Sequence, residues 1–257
     1  MPRWIRFEHD GETGFGTLDD DTITVHQGDM FASPTPTGKT LPLDGIRVLT
    51  PTQPGKMVAL WNNSYAMAEK MSLTPPAHPM YFLKSSNSFL ATNEVIRRPE
   101  AYSGRVVYEG ELGIVIGRQC NGIDEAAAAD YIFGYTCIND VTAFDLLNED
   151  PAFPQWTRCK SFDTFGVFGP VVASGLDPDK LTIKAVLNGD ERQNYPSSDL
   201  FMQPHRIVSL ISHDMTLELG DVICCGTSAG AGTMKEPSNT IEITIDGIGT
   251  LSNTFEQ

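Results

Sequence analysis

The chain offers few cations, few histidines and few clear helical patterns, and each scarcity excludes something. Lys and Arg number 18 against 33 Asp and Glu, a formal charge of -15. A chain this acidic repels phosphate backbones, which excludes nucleic acid as a partner. It leaves small anionic substrates open, because a local cation can reverse the field inside a cleft. No apolar run approaches the roughly 20 residues of a membrane-spanning helix, so no membrane association is expected. The opening stretch, MPRWIRFEHDGE, turns acidic before any apolar segment and does not read as a signal peptide. Five cysteines (Cys120, Cys137, Cys159, Cys224, Cys225) are an odd number, and no CxxC spacing occurs. That argues against a structural zinc site and points to reduced packing residues in a cytoplasmic protein.

What is present is a series of short, strand-like apolar runs: Met57–Leu60, Met80–Leu83, Leu112–Ile116, Val167–Val172, Ile183–Leu187, Val222–Cys225 and Ile241–Ile245. Three helices are expected, at Asn63–Met71, from an Asp124 N-cap through EAAAADYI, and near Pro204–His213. Without βαβ alternation, this pattern predicts a mostly β (α+β) fold. Residues 1–50 read as a small β-rich N-terminal domain with strands at Trp4–Phe7, Gly14–Leu18 and Thr22–Val25. ASPTPTGKTLP is expected to be part of a linker ending near Pro51, and residues 51–257 form the main domain.

VVYEGELGIVIG, residues 106–117, is an apolar strand that carries Glu109 and Glu111 two residues apart. Strand periodicity puts both carboxylates on one face, where they repel. They could both face water, share a proton, or hold a cation between them. The flanks favour the cation, since the acidic pair runs straight into the apolar segment and Gly110 between them leaves room for close approach. A third carboxylate, Asp140, ends the strand-like run YTCIND. Three carboxylates from neighbouring strands would suit a hard cation such as Mg2+ or Mn2+.

YEGELGIVIGR, GYTCINDVTAFD, QWTRCKSFDTFGVFGP and MTLELGDVICCGTSAG stand in the order that occurs in the fumarylacetoacetate hydrolase family. The chain resembles that family from about residue 51 to residue 257. The resemblance implies a mixed β-sandwich roll around a divalent cation, with Glu109, Glu111 and Asp140 as ligands to Mg2+ or Mn2+. It implies a small-molecule 2-oxo acid as substrate and a homodimer. Lys160, in KSFD, matches the lysine that reaches the oxo-acid end and is implied to be catalytic. Gly226 and Thr227 match a turn whose amide and hydroxyl bind the substrate carboxylate, and Ser228 takes the place of the usual proline. Lys84, in YFLKSSNSF, is expected to shape the entrance or support the metal shell.

Two departures bear on the reaction. The stretch NNSYAMAE, residues 62–69, matches a lid pattern NYxxHxxE; Glu69 keeps the glutamate, but Ala66 stands where the histidine would. In NDVTAFDLL, Phe144 and Leu147 replace the Arg and Gln of relatives, and are expected to line a pocket for a different distal group. His78 reads as a solvated loop residue. The leading expectation is a metal-dependent C–C hydrolase of an acylpyruvate, such as a maleylpyruvate- or fumarylpyruvate-like ring-fission product, with Glu69 as the base. A decarboxylase or tautomerase of an oxaloacetate-like acid is the alternative, since that chemistry needs no activated water. A non-catalytic 2-oxo-acid binding protein is a further one.

Overall fold

The computed structural model describes residues 1–257. The N-terminal residues form a meander of β1 (Arg3–His9), β2 (Glu12–Asp19), β3 (Thr22–Gln27) and β4 (Thr35–Pro42), followed by the two-residue β5 (Arg47–Val48). The stretch expected to be linker is thus largely a strand. It pairs with β3 from Thr22↔Pro42 to Gln27↔Thr35, and its prolines are tolerated because β4 is the outer, exposed edge of the sheet.

The rest of the chain is built from β6 (Met57–Trp61), α1 (Tyr65–Met71), β7 (Met80–Lys84), β8 (Phe89–Leu90), β9 (Val95–Arg97), β10 (Val106–Tyr108) and β11 (Gly110–Ile116). Then come β12 (Ile132–Asp140), β13 (Thr142–Ala143), α2 (Trp156–Lys160), β14 (Gly166–Ala173), β15 (Thr182–Leu187) and β16 (Asp190–Pro196). The chain closes with α3 (Pro204–Asp214), β17 (Val222–Cys224), β18 (Gly232–Thr233), β19 (Ser238–Ile245) and β20 (Gly249–Glu256). The segment after Asp124 is a 3-10 helix, Glu125–Tyr131, and the Asp124 side chain makes no capping bond. The alanines gave it helical propensity, but its closing bonds tie it to the start of β12 instead.

The long sheet runs β4-β3-β2-β1-β14-β12-β11-β17-β6-β7. The N-terminal meander joins it through β1 and β14, at Arg3↔Ala173 and Trp4↔Val172. A second sheet, β16-β15-β19-β20-β9, covers its central strands. The main core lies between the two sheets and includes Leu112, Ile114, Cys137, Ala185, Ile243 and Leu251. β11 is buried along its whole length, and so reads as a continuous apolar run rather than an alternating one. All five cysteines are buried and unbridged. Burial pushes the Cys137 thiol up to about 12, and those of Cys224 and Cys225 well above the ordinary value. No helix is long and apolar enough to cross a membrane.

Close strand pairing has a measurable consequence at Gly134. A Cβ there would lie 2.4 Å from the Ala173 carbonyl oxygen, a backbone atom that cannot swing aside. Gly134→Ala is expected to cost about 1–3 kcal/mol of stability, the usual penalty of overpacking, read from urea denaturation. An unchanged midpoint would show that β12 and β14 are not this tightly apposed.

Candidate active site

Glu109 sits in the one-residue gap between β10 and β11. Its N–H donates to Asn139 Oδ1 at 3.1 Å, and its carbonyl accepts from the Asp140 N–H at 2.9 Å. These bonds fasten the start of β11 to the end of β12, which carries Asp140. Glu111 follows one residue into β11 and is fully buried. The ligand atoms of Glu109, Glu111 and Asp140 all lie within 4.8 Å of one another. The structure therefore brings the three carboxylates together, as the spacing of the two glutamates foreshadowed.

Two lysines converge on them. Lys160, at the C-terminal end of α2, donates to Glu109 Oε2 and to Asp140 Oδ2, each at 2.6 Å. Lys84, at the end of β7, pairs with Asp140 Oδ1. Both lysines are buried, at 2% exposure. Of the two roles expected for Lys84, entrance or support of the acidic group, the contact with Asp140 is in line with the second. The reason is geometric: β7 lies at the edge of the long sheet, and its last inward-facing residue reaches across to β12.

The electrostatics follow from burial. Desolvation pushes Glu111 well above the usual carboxylate range, reinforced by Asp140 and Glu109, and the Gly226 amide and Lys160 counter it only in part. Burial would lift Asp140 too, but Lys160 and Lys84 outweigh it and hold that carboxyl below its ordinary value. Burial would lower Lys160, yet Asp140 and Glu109 prevail and hold it above the usual lysine value, so at neutral pH it is a fixed ammonium. Both lysines are directed at Glu109 and Asp140, so Glu111 has no cationic partner of its own. Its Oε2 accepts the Gly226 N–H at 2.9 Å, while its Oε1 is buried with no partner. A buried, unpartnered carboxylate oxygen is costly. An all-oxygen donor set with such an atom fits a hard divalent cation.

The turn after β17 is already engaged. The Gly226 amide holds Glu111, and the Thr227 hydroxyl donates to the Gly110 carbonyl at 2.9 Å. Gly226 has φ of +92°, and a Cβ there would lie 3.2 Å from that of Asn63, so glycine suits both the backbone and the space. Gln193, on β16, binds the Gly110 N–H, the Thr227 hydroxyl and the Ser228 carbonyl at 2.8–2.9 Å. The Tyr195 hydroxyl donates to the Gly110 carbonyl at 2.8 Å. Gln193 and Tyr195 thus fix the peptide between the two glutamates. Sequence reasoning missed both, because they come from the second sheet and no local pattern marks an inward-facing Gln.

The other expected residues lie apart from the carboxylates. Glu69 is exposed on α1, and His78 is exposed in the loop beyond it. Leu147 packs into the core. Phe144 is 41% exposed beneath the Arg105 guanidinium, which lies 4.5 Å from its ring centroid.

Residues 56–256 match the family profile described as fumarylacetoacetate (FAA) hydrolase C-terminal. The chain belongs to the fumarylacetoacetate hydrolase family. Residues 3–51 match a second profile, Rv2993c-like, N-terminal. An uncharacterized protein of Archaeoglobus fulgidus is 43% identical, over 84% of this chain and 85% of its own length. Oxaloacetate tautomerase YisK of Bacillus subtilis is 37% identical, over 69% of this chain and 61% of that protein. Among solved structures of the family, 2-hydroxyhepta-2,4-diene-1,7-dioate isomerase from Mycobacterium marinum superposes with a TM-score of 0.90 at 35% identity, covering 100% of this chain and 98% of that one. Maleylpyruvate hydrolase from Sphingobium sp. SYK-6, solved with manganese(II) and pyruvate, shares the fold with a TM-score of 0.79 at 24% identity, covering 99% of each chain.

The shift of Glu111 fixes a sign. Its folded pKa lies above the unfolded value near 4.5, so stability of the metal-free protein is full below that pH and falls as pH rises through the folded value. Glu111→Gln is expected to be more stable than the wild type without metal at neutral pH. Mn2+ at 100 times its dissociation constant should stabilise the wild type by about 2.7 kcal/mol and the variant far less. Equal Mn2+ effects on the two melting curves would remove Glu111 from the cation site.

Proposed function

We propose that this protein is a Mg2+- or Mn2+-dependent enzyme that tautomerises or isomerises a small, oxaloacetate-like 2-oxo acid. The observation that carries this reading is the buried carboxylate group of Glu109, Glu111 and Asp140 with its unpartnered Glu111 oxygen. A divalent cation held there would supply a Lewis acid for the keto and carboxylate oxygens of a 2-oxo acid. Lys160 contributes a permanent positive charge beside the same group, suited to binding the oxo-acid end and opposing the negative charge that develops on it.

The choice of reaction rests on α1. Hydrolysis needs a base to activate water. Ala66 leaves the lid without its histidine, and Glu69 stands alone and exposed. Tautomerisation moves one proton off C3 and one onto the keto oxygen, with no attacking water, and a single lid carboxylate can serve it. The tautomerase and isomerase relatives support this choice. Hydrolysis of an acylpyruvate to pyruvate and a carboxylic acid is the second reading, favoured by the retention of Glu69 itself. Thr227 reaches a substrate carboxylate only by giving up its bond to Gly110. The exposed Phe144 ring is the proposed contact for the distal group, with Leu147 packing behind it. We also propose a domain boundary near residue 50, supported by the two profile matches, and a homodimer, supported by Met80 and Leu83, both 40–42% exposed on the edge strand β7.

Oxaloacetate and a set of acylpyruvates incubated with the protein and Mn2+ decide between the readings. Enol-to-keto conversion of oxaloacetate without pyruvate release, abolished by EDTA, is the expected result. Pyruvate release from an acylpyruvate would establish the hydrolase instead, and no change in any substrate would leave a binding protein. In the active reaction Glu69→Gln should lower kcat by about 10²–10⁴-fold, the usual worth of a general acid or base.

Lys160→Met provides a separate check on substrate binding. It is expected to abolish oxalate binding in calorimetry while Mn2+ still binds. Wild-type oxalate affinity in that variant would exclude Lys160 from the oxo-acid site.

A further inference from the structure

Asp199 lies in the 3-10 turn Ser197–Asp199 after β16, outside every motif considered above. Its carboxylate collects three donors from two separate segments. Oδ2 accepts the Ser64 hydroxyl at 2.6 Å and the Ser228 hydroxyl at 2.7 Å, and Oδ1 accepts the Ala66 N–H at 3.1 Å. Ser64 is the N-cap of α1 and accepts the Met67 N–H at 3.1 Å. Ser228 belongs to the turn whose Gly226 amide holds Glu111. One carboxylate therefore joins the helix that carries Glu69 to the turn that holds a carboxylate of the cation site.

The neighbourhood reinforces that connection. Asn63 donates to the Met202 carbonyl at 3.1 Å and to the Cys225 carbonyl at 2.8 Å, and accepts the Met202 N–H at 2.9 Å. The Phe201 N–H donates to the Asn63 carbonyl at 3.2 Å, and Ser64 bridges to Leu200. Beyond this base residues 69–75 are all exposed, with Asn62 Nδ2 donating to the Thr74 carbonyl at 3.0 Å. A seven-residue helix is too short to persist by its own propensity, so its position depends on such external bonds. The Ser228 hydroxyl gives the turn a bond that reaches across toward α1.

We propose that Asp199 is a positioning residue: with Ser64 and Ser228 it forms a latch that fixes α1, and with it Glu69, relative to the Gly226–Ser228 turn. The catalytic part of this proposal rests on the reading of Glu69 as the group that moves a proton; the structural part does not.

Amide hydrogen exchange on the intact, metal-free protein tests the latch without any substrate. Asp199→Ala is expected to speed exchange at Ala66, Met67 and Gly226 by at least about 10-fold, with Leu112–Val115 unchanged as the control for folding. Ser228→Ala should speed exchange at Gly226 alone, because Ser64 and Asp199 still cap the helix, and Ser228→Thr should restore it. If Asp199→Ala leaves Gly226 as protected as in the wild type, Asp199 is only a helix cap and the latch is refuted. Kinetics test the catalytic part: Asp199→Ala should lower kcat about 10-fold or more, with KM within about twofold. Wild-type kcat despite a loosened helix would refute positioning. A wild type that converts no 2-oxo acid would refute the role of Glu69 instead, and the exchange result would still decide the latch.

Discussion

Three carboxylates packed within 4.8 Å of one another in a protein interior is the constraint on which the rest of this molecule turns. Burying one unpaired carboxylate is expensive, and burying two beside a third that is partly buried is more so. The fold meets the cost with two buried lysines, one from a sheet edge and one from a short helix, and with the Gly226 amide and the Thr142 hydroxyl aimed at the acids. Even so, one Glu111 oxygen remains without a partner. The three carboxylates form an acidic group whose all-oxygen donor set is chemically suited to a hard cation.

That constraint explains the architecture around it. β11 must be buried on both faces to exclude water from Glu111, hence the second sheet over it. Gly110 must lack a side chain because Ile243, Gln193 and Ala185 approach within about 3 Å of where a Cβ would stand. Its N–H and carbonyl are then claimed by Gln193, Tyr195 and Thr227, so the peptide joining the two glutamates cannot rotate. These bonds hold the backbone that carries the two glutamates in place, so the carboxylate group is pre-organised.

Charge also separates the roles of the acidic groups. Asp140 stays ionised because two ammoniums face it, while Glu111, with one amide, does not lie so easily as an anion. Glu69 belongs to another regime altogether. It is on an exposed, externally anchored helix, apart from the acidic group, where a carboxylate can change its surroundings when a substrate arrives.

The sequence by itself determined the strands with strong apolar runs, such as β6, β11, β14 and β19, whose residues are driven into the interior. It foreshadowed the nearness of Glu109 and Glu111, two residues apart, although the chain breaks between β10 and β11 at Glu109 instead of running as one strand. α3 was legible because its apolar spacing and starting proline act within one segment. Tertiary structure decided the rest. β4 is a strand only because β3 offers it hydrogen bonds, and the residues after Asp124 form a 3-10 helix because β12 follows immediately. Lys84, Gln193, Tyr195 and Asp199 reach the site from segments 29 to 85 residues away from the groups they bind. An electrostatic or hydrogen-bonding partner at that separation leaves no periodic trace, since its effect depends on where the fold puts it and not on its neighbours in the chain.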